Sequence, residues 1–327
     1  MNNLLLSLLT IFNKISFNKF ILLRASNLQR MKKIFLISIS ILLFALNSCD
    51  TGKQLSQSKQ TAQTAYENGD YQQALSIWEG MINTAKEKGS EKQCTAFTNA
   101  GMAANNLGQT EKAISYLKKA TYSEVSNENT YFTLANIYKR KDNLSLELEN
   151  LEFYLEKFPE GKEITTVSLR LFDLYTEIEN WEKAMDFWTR LTESQKSNTL
   201  QIENYLLVND ELGNDLKCME LSNQLLKTDE NNIAALKFLS SYYFWKAEKR
   251  YQKEMKIYEK KKTRKQYAIL LNVIDEVAVE YKQALKYAKK LYKQDPKPVN
   301  AKLLGNTYSR LNYKDKAAYY QKLGVVE

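Results

Sequence analysis

The chain has 327 residues, of which 26% are charged, 12% aromatic and none histidine. Without imidazole there is no Ser–His–acid or Cys–His nucleophilic system and no histidine-containing zinc site. Six of the 47 basic residues and none of the 38 acidic ones precede position 49, so the formal charge of +9 falls to about +3 for the remainder, a distribution that argues against a nucleic-acid partner.

Residues 31–48 read as an export signal. Met31-Lys32-Lys33 is a short basic start, and Ile34 to Leu46 is a 13-residue apolar run broken only by Ser38 and Ser40. A membrane span needs about 20 apolar residues, so this run suits a signal-peptide core better. Leu46-Asn47-Ser48-Cys49 resembles the lipobox of bacterial lipoproteins. The resemblance implies that Cys49 is the lipid-modified first residue of the mature protein, anchored in a bilayer of the bacterial cell envelope, inner or outer membrane left open. Acyl chains bury methylenes at about 0.8 kcal/mol each, enough for multiple chains to hold a soluble domain. An uncleaved signal anchor or a buried N-terminal helix is the alternative reading of this run.

Met31 stands where a signal begins, so residues 1–30, with two apolar patches and no acidic residue, read as a mispredicted N-terminal extension. A long n-region or an extra membrane-interacting segment is the rival. Residues 49–60 read as a polar tether. Residues 61–327 read as one helical-repeat domain, with only Pro159, Pro296 and Pro298 and no Pro/Gly-rich linker.

Within that domain one phrase recurs. Gly69-Asp70-Tyr71-Gln72-Gln73-Ala74 returns in degenerate form at Gly108 to Ala113, Glu179 to Ala184 and Gly213 to Cys218, with a further register at 142 to 147. Such spacing marks stacked helical hairpins. The repeats then align as 58–84, 97–120, 131–159, 168–191 and 202–225. A sixth begins at Leu236, Leu239, Ser240 and Tyr243, and later units hold Tyr281, Ala284 and Leu291, then Leu304, Gly305, Tyr308 and Ala317.

These small and aromatic positions resemble the tetratricopeptide repeat over roughly residues 58 to 322. The resemblance implies an all-α superhelix of about seven to eight hairpins, in which small residues let paired helices approach closely. Gly101 and Gly305 are expected as packing glycines, and Cys218, at the alanine position, as a small packed residue. Tyr71, Trp78, Tyr138, Tyr175, Trp181 and Trp188 match internal packing positions. Residues 242–280 depart from the pattern. Lys246 to Lys265 holds ten basic and three acidic residues, with a narrow stripe of Tyr251, Met255 and Tyr258. Tyr267, Leu270, Leu271, Ile274 and Val277 follow at helical spacing. Long atypical helices joined near Lys262-Thr263-Arg264 are expected. A solvated helix is the baseline reading of the basic stretch, beside contact with an acidic protein or an anionic membrane surface.

Nothing in the sequence carries catalysis. There is no phosphate-binding loop, dinucleotide fingerprint or CxxC pair, and Asp210-Glu211, Glu179 with Glu182 and Asp229-Glu230 read as turns or solvated faces. No catalytic residue, metal ligand or cofactor is expected. The resemblance places Tyr66, Asn105, Asn106, Phe132, Asn136, Lys139, Arg140, Asp173 and Glu177 on the inner groove, with Phe244 and Trp245 in comparable places in the sixth unit. Asn, Lys and Arg there suit an extended backbone or a carboxylate, with aromatics as anchors. The expectation is a non-enzymatic, lipid-anchored scaffold or adaptor whose partner is another envelope protein or peptide segment. The alternative is a ligand- or glycan-binding lipoprotein of a nutrient-uptake system.

Overall fold

A computed structural model describes residues 54–325. Cys49, the signal and the residues before it lie outside the described residues. The chain divides into two units, Met1–Ile137 and Tyr138–Glu327. In the first, α1 (54–67) is followed by α2 (Tyr71–Glu87), a 3-10 turn at Glu91–Gln93, α3 (Ala96–Asn106) and α4 (Thr110–Thr121). Helix α5 (Glu128–Arg140) carries the chain into the second unit. That unit holds α6 (Leu144–Lys157), α7 (Ile164–Glu177), α8 (Trp181–Arg190), the single turn α9 (Glu193–Lys196), α10 (Thr199–Glu211), α11 (Asp215–Thr228), α12 (Ile233–Lys260), α13 (Arg264–Gln294), α14 (Pro298–Arg310) and α15 (Lys314–Leu323). No strand occurs among the described residues, and none of their helices is long and apolar enough to cross a membrane. The fold is all-α and built of tetratricopeptide-type hairpins. Helix α1 starts at residue 54, inside the stretch read as a tether.

The recurrent phrase is a helix-ending device. Its first residue is left-handed in every copy: Gly69, Gly108 and Gly213 at φ +83°, +72° and +72°, and Asp142 and Glu179 at +53° and +59°. Around it two backbone bonds close the preceding helix. The amide of Gly69 donates to the Tyr66 carbonyl and that of Asp70 to the Ala65 carbonyl, and the same pair of bonds forms at 108, 142, 179 and 213. The next residue opens the following helix: Asp70, Asn143 and Asn180 accept from the amides of Gln73, Leu146 and Lys183. A sixth copy at Asn312, φ +62°, has the same bonds and is less visible in sequence. Three residues thus reverse the chain.

The small residues that end each phrase lie where paired helices meet. Ala74, Ala113, Ala184 and Cys218 are fully buried. Burial pushes the Cys218 thiol up to about 12, as suits a packed residue. A Cβ on Gly101 would stand 2.5 Å from Leu117 Cγ, and one on Gly305 2.8 Å from the Gln321 amide nitrogen. Both are packing glycines, as expected.

Helices α12 and α13, of 28 and 31 residues, form a long antiparallel hairpin turning at 261–263, where Thr263 caps α13. No glycine or small-residue phrase interrupts 242–280, so nothing ends either helix earlier. Phe244 and Ala247 meet Val277, Tyr281 and Ala284 across the seam, with Tyr251 and Val273 beside them. The basic stretch therefore forms the C-terminal half of α12 and the turn at the end of this helical arm.

Candidate functional site

In the first unit, α1, α3 and α5 carry the expected groove residues. Tyr66 is half-buried, in contact with the rings of Tyr71 and Trp78 at 5.2 and 5.6 Å, and Asn106 Nδ2 donates to its hydroxyl oxygen at 2.9 Å. Burial raises the Tyr66 phenol, and the bond from Asn106 opposes that shift. Tyr66 and Asn106 are thus brought together across two helices, with Tyr66 more a packed residue than a free anchor. Asn105, Phe132 and Asn136 are partly buried on α3 and α5.

The second unit holds a better-defined cleft. On α7, Asp173 accepts from Gln201 Nε2 at 3.0 Å and Asn204 Nδ2 at 3.1 Å, which fixes it against α10. Burial raises its carboxyl, opposed by these two bonds and by the nearby Arg170 and Lys139 charges. Arg170 is committed elsewhere: its Nε and one terminal nitrogen bond the Glu147 carboxylate at 2.6 and 2.9 Å. Glu177 lies 4.0 Å from Arg170 and is exposed, as are Lys139 and Arg140. Between α7 and α10 opens a cavity of about 610 Å³ lined by Arg170, Asp173, Glu177, Glu179, Trp181, Leu200, Asn204, Leu207 and Glu211. Leu200 and Leu207, seven residues apart on one face of α10, are both exposed.

The cleft is acidic. Four carboxylates face it, and its one guanidinium is already neutralised by Glu147. Its lining suits basic and apolar groups, and Lys139 and Arg140, the cations of the expected groove, are not among its lining residues. A second opening of about 540 Å³ follows along α10 and α12, lined by Asp210, Asp215, Phe238, Tyr242, Trp245, Lys246, Lys249 and Arg250. Burial raises the Asp210 carboxyl, helped by repulsion from Glu211 and Asp215.

Phe244 requires correction. It is 4% exposed and packed near Tyr281, whereas Trp245 is 63% exposed and stands edge-on to Phe244 at 5.2 Å. Consecutive helical residues are about 100° apart, so α12 buries one against α13 and presents the other. Trp181, assigned to packing, is only partly buried and reaches the acidic cleft. Trp188 does pack, stacked on Tyr205 at 3.9 Å. Arg170, Leu200, Asn204, Leu207 and Glu211 were missed. The one sequence signal for them is the excess of leucine on α10, which leaves apolar residues on more than one face.

No family model and no curated protein sequence matches the chain. Among solved structures, the chain is similar to a tetratricopeptide repeat protein from Parabacteroides merdae, at 13% identity and a TM-score of 0.41, covering 83% of this chain and 91% of that one. A second similarity is to YrrB, described as a TPR protein with an unusual peptide-binding site, at 14% identity and TM-score 0.43, covering 55% and 88%. A third is to a TPR repeats protein from Bacteroides fragilis, at 15% identity and TM-score 0.32, covering 82% and 98%.

Proposed function

We propose that this protein is a non-enzymatic adaptor, held at an envelope membrane by lipid on Cys49, which grips a segment of another envelope protein along the inner faces of α7, α10 and α12. The observation that carries this reading is the cleft of about 610 Å³ between α7 and α10. Exposed Leu200 and Leu207 offer apolar contact, and Asp173, Glu177, Glu179 and Glu211 frame them with negative charge. A segment with alternating basic and apolar residues meets both requirements. Tethering at the membrane raises its effective concentration near such a partner.

The test is mild crosslinking in intact cells of protein tagged at Glu327, with Glu177→Lys plus Glu211→Lys, Trp245→Ala and Cys49→Ala compared with the parent. The adaptor reading expects a discrete envelope protein, lost on charge reversal and reduced when the tether is removed. Recovery of a saccharide or another small ligand in place of a protein would move the function to nutrient capture.

A further inference from the structure

The arm formed by α12 and α13 carries an exposed apolar stripe away from the α7–α10 cleft. Near its base α14 lies along one side of the hairpin. Leu303 and Leu311 pack with Phe244, Val277 and Tyr281, while Leu285 and Ala288 meet Leu304 and Tyr308. Coverage by α14 ends at Arg310, whose guanidinium binds the Glu248 carboxylate and lies 4.7 Å from the Tyr251 ring centre.

The apolar stripe does not end there. Tyr267, Leu271, Ile274 and Ala278 follow one another at steps of four, three and four residues, and Leu285, covered at the base, is seven further on. This is the spacing with which a helix presents a seam to a neighbouring helix. Above Arg310 the seam is open: Tyr267 is 49%, Leu271 43% and Ile274 37% exposed. They border the α12–α13 contact, where Met255 is partly buried and the Tyr258 ring lies 5.7 Å from that of Tyr267. From Tyr267 to Ala278 the open stripe runs about 16 Å, three turns of helix.

We propose that this open seam receives an acidic amphipathic helix from a partner protein, continuing the position that α14 occupies at the base. Continuity with the α13–α14 packing argues for a helical occupant, and charge decides its sign. The ion pairs of the arm join Lys246 and Arg250 to Glu276 and Glu280, on the other side of the seam. Lys256, Lys260, Lys261, Lys262 and Arg264, toward the tip, enter no ion pair among the described residues. A second copy of this chain would bring the same excess of positive charge against it.

The experiment uses the full chain and two synthetic probes of about three heptads, each with leucine at the a and d positions. One has glutamate on its flanks and the other lysine. Fluorescence anisotropy should show binding of the glutamate peptide alone, weakening with salt. Leu271→Glu with Ile274→Glu should weaken it at least about tenfold, and Lys261→Glu with Lys262→Glu should flatten the salt dependence. Circular dichroism melts of these surface variants should match the parent. Equal binding of both peptides, or binding that survives Leu271→Glu with Ile274→Glu, would overturn the proposal. So would seam-dependent binding to phosphatidylglycerol vesicles, or a dimer in sedimentation that dissociates on Leu271→Glu, with neither peptide bound.

Discussion

Glu248 on α12 and Arg310 on α14 are joined by two parallel hydrogen bonds, with Arg310 Nε donating to Glu248 Oε2 at 2.7 Å and a terminal nitrogen donating to Oε1. Tyr281 on α13 donates its hydroxyl to the same Oε2 at 2.7 Å, and Gln252 Nε2 donates to Oε1, also at 2.7 Å. One carboxylate thus ties together the three helices at the base of the arm, at the point where coverage by α14 stops.

Removing one partner leaves a largely buried carboxylate underpaired. Arg310→Leu is expected to cost roughly 2 to 4 kcal/mol, below a fully buried pair because the guanidinium keeps some solvent contact. Burial alone would raise the Glu248 carboxyl, but the bonds from Arg310, Gln252 and Tyr281 outweigh it and hold the group below its ordinary value. Stability from this cluster is therefore present above the ordinary glutamate range and lost as pH falls through the depressed value. Urea melts of parent and Arg310→Leu should differ most near neutral pH and converge in acid.

Gly101 is expected to tolerate no side chain. Its Cβ would stand 2.5 Å from Cγ and 2.8 Å from Cδ2 of fully buried Leu117. Gly101→Ala gains helix propensity of at most about 1 kcal/mol, while overpacking costs about 1 to 3 kcal/mol. A lowered denaturation midpoint is expected, and the double variant Gly101→Ala with Leu117→Ala should be less destabilised than the sum of the two single variants, because removing the Leu117 side chain relieves the clash. Full additivity in that double-mutant cycle would sink the packing account.

Glu179 occupies the left-handed turn position at φ +59° that glycine fills in three other copies. A left-handed non-glycine residue is strained by about 1 kcal/mol. Glu179→Gly should therefore stabilise the protein by up to about that amount, whereas Glu179→Ala, which removes the charge and keeps the strain, should not. Thermal melts of the two variants separate backbone strain from carboxylate repulsion.

Much of the architecture was legible because hairpin reversal is a local matter. Gly69, Gly108, Gly213, Asp142 and Glu179 can be found from sequence since the turn requires a left-handed residue followed by a helix cap, and few side chains suit both. The long arm was legible for the opposite reason: between Tyr242 and Glu280 no such phrase appears, and two uninterrupted helices result. Asn312 was less visible because its phrase has lost both the glycine and the capping Asp or Asn, Tyr313 standing in the cap position.

The sequence by itself determined where helices stop, which small residues sit between them and which stretch forms long uninterrupted helices, because these follow from backbone conformation and helical period. Only the tertiary structure decided which side chains face the open surfaces. Phe244 and Trp245 differ by one helical step, and the packing of α13 selects which is buried. Arg170 looks like a free cation until Glu147, 23 residues earlier, reaches it. Leu200 reads as ordinary core until α7 and α10 leave it at the edge of an acidic cleft. Such choices depend on distances between helices remote in sequence, and it is those distances that set the charge and shape a partner meets.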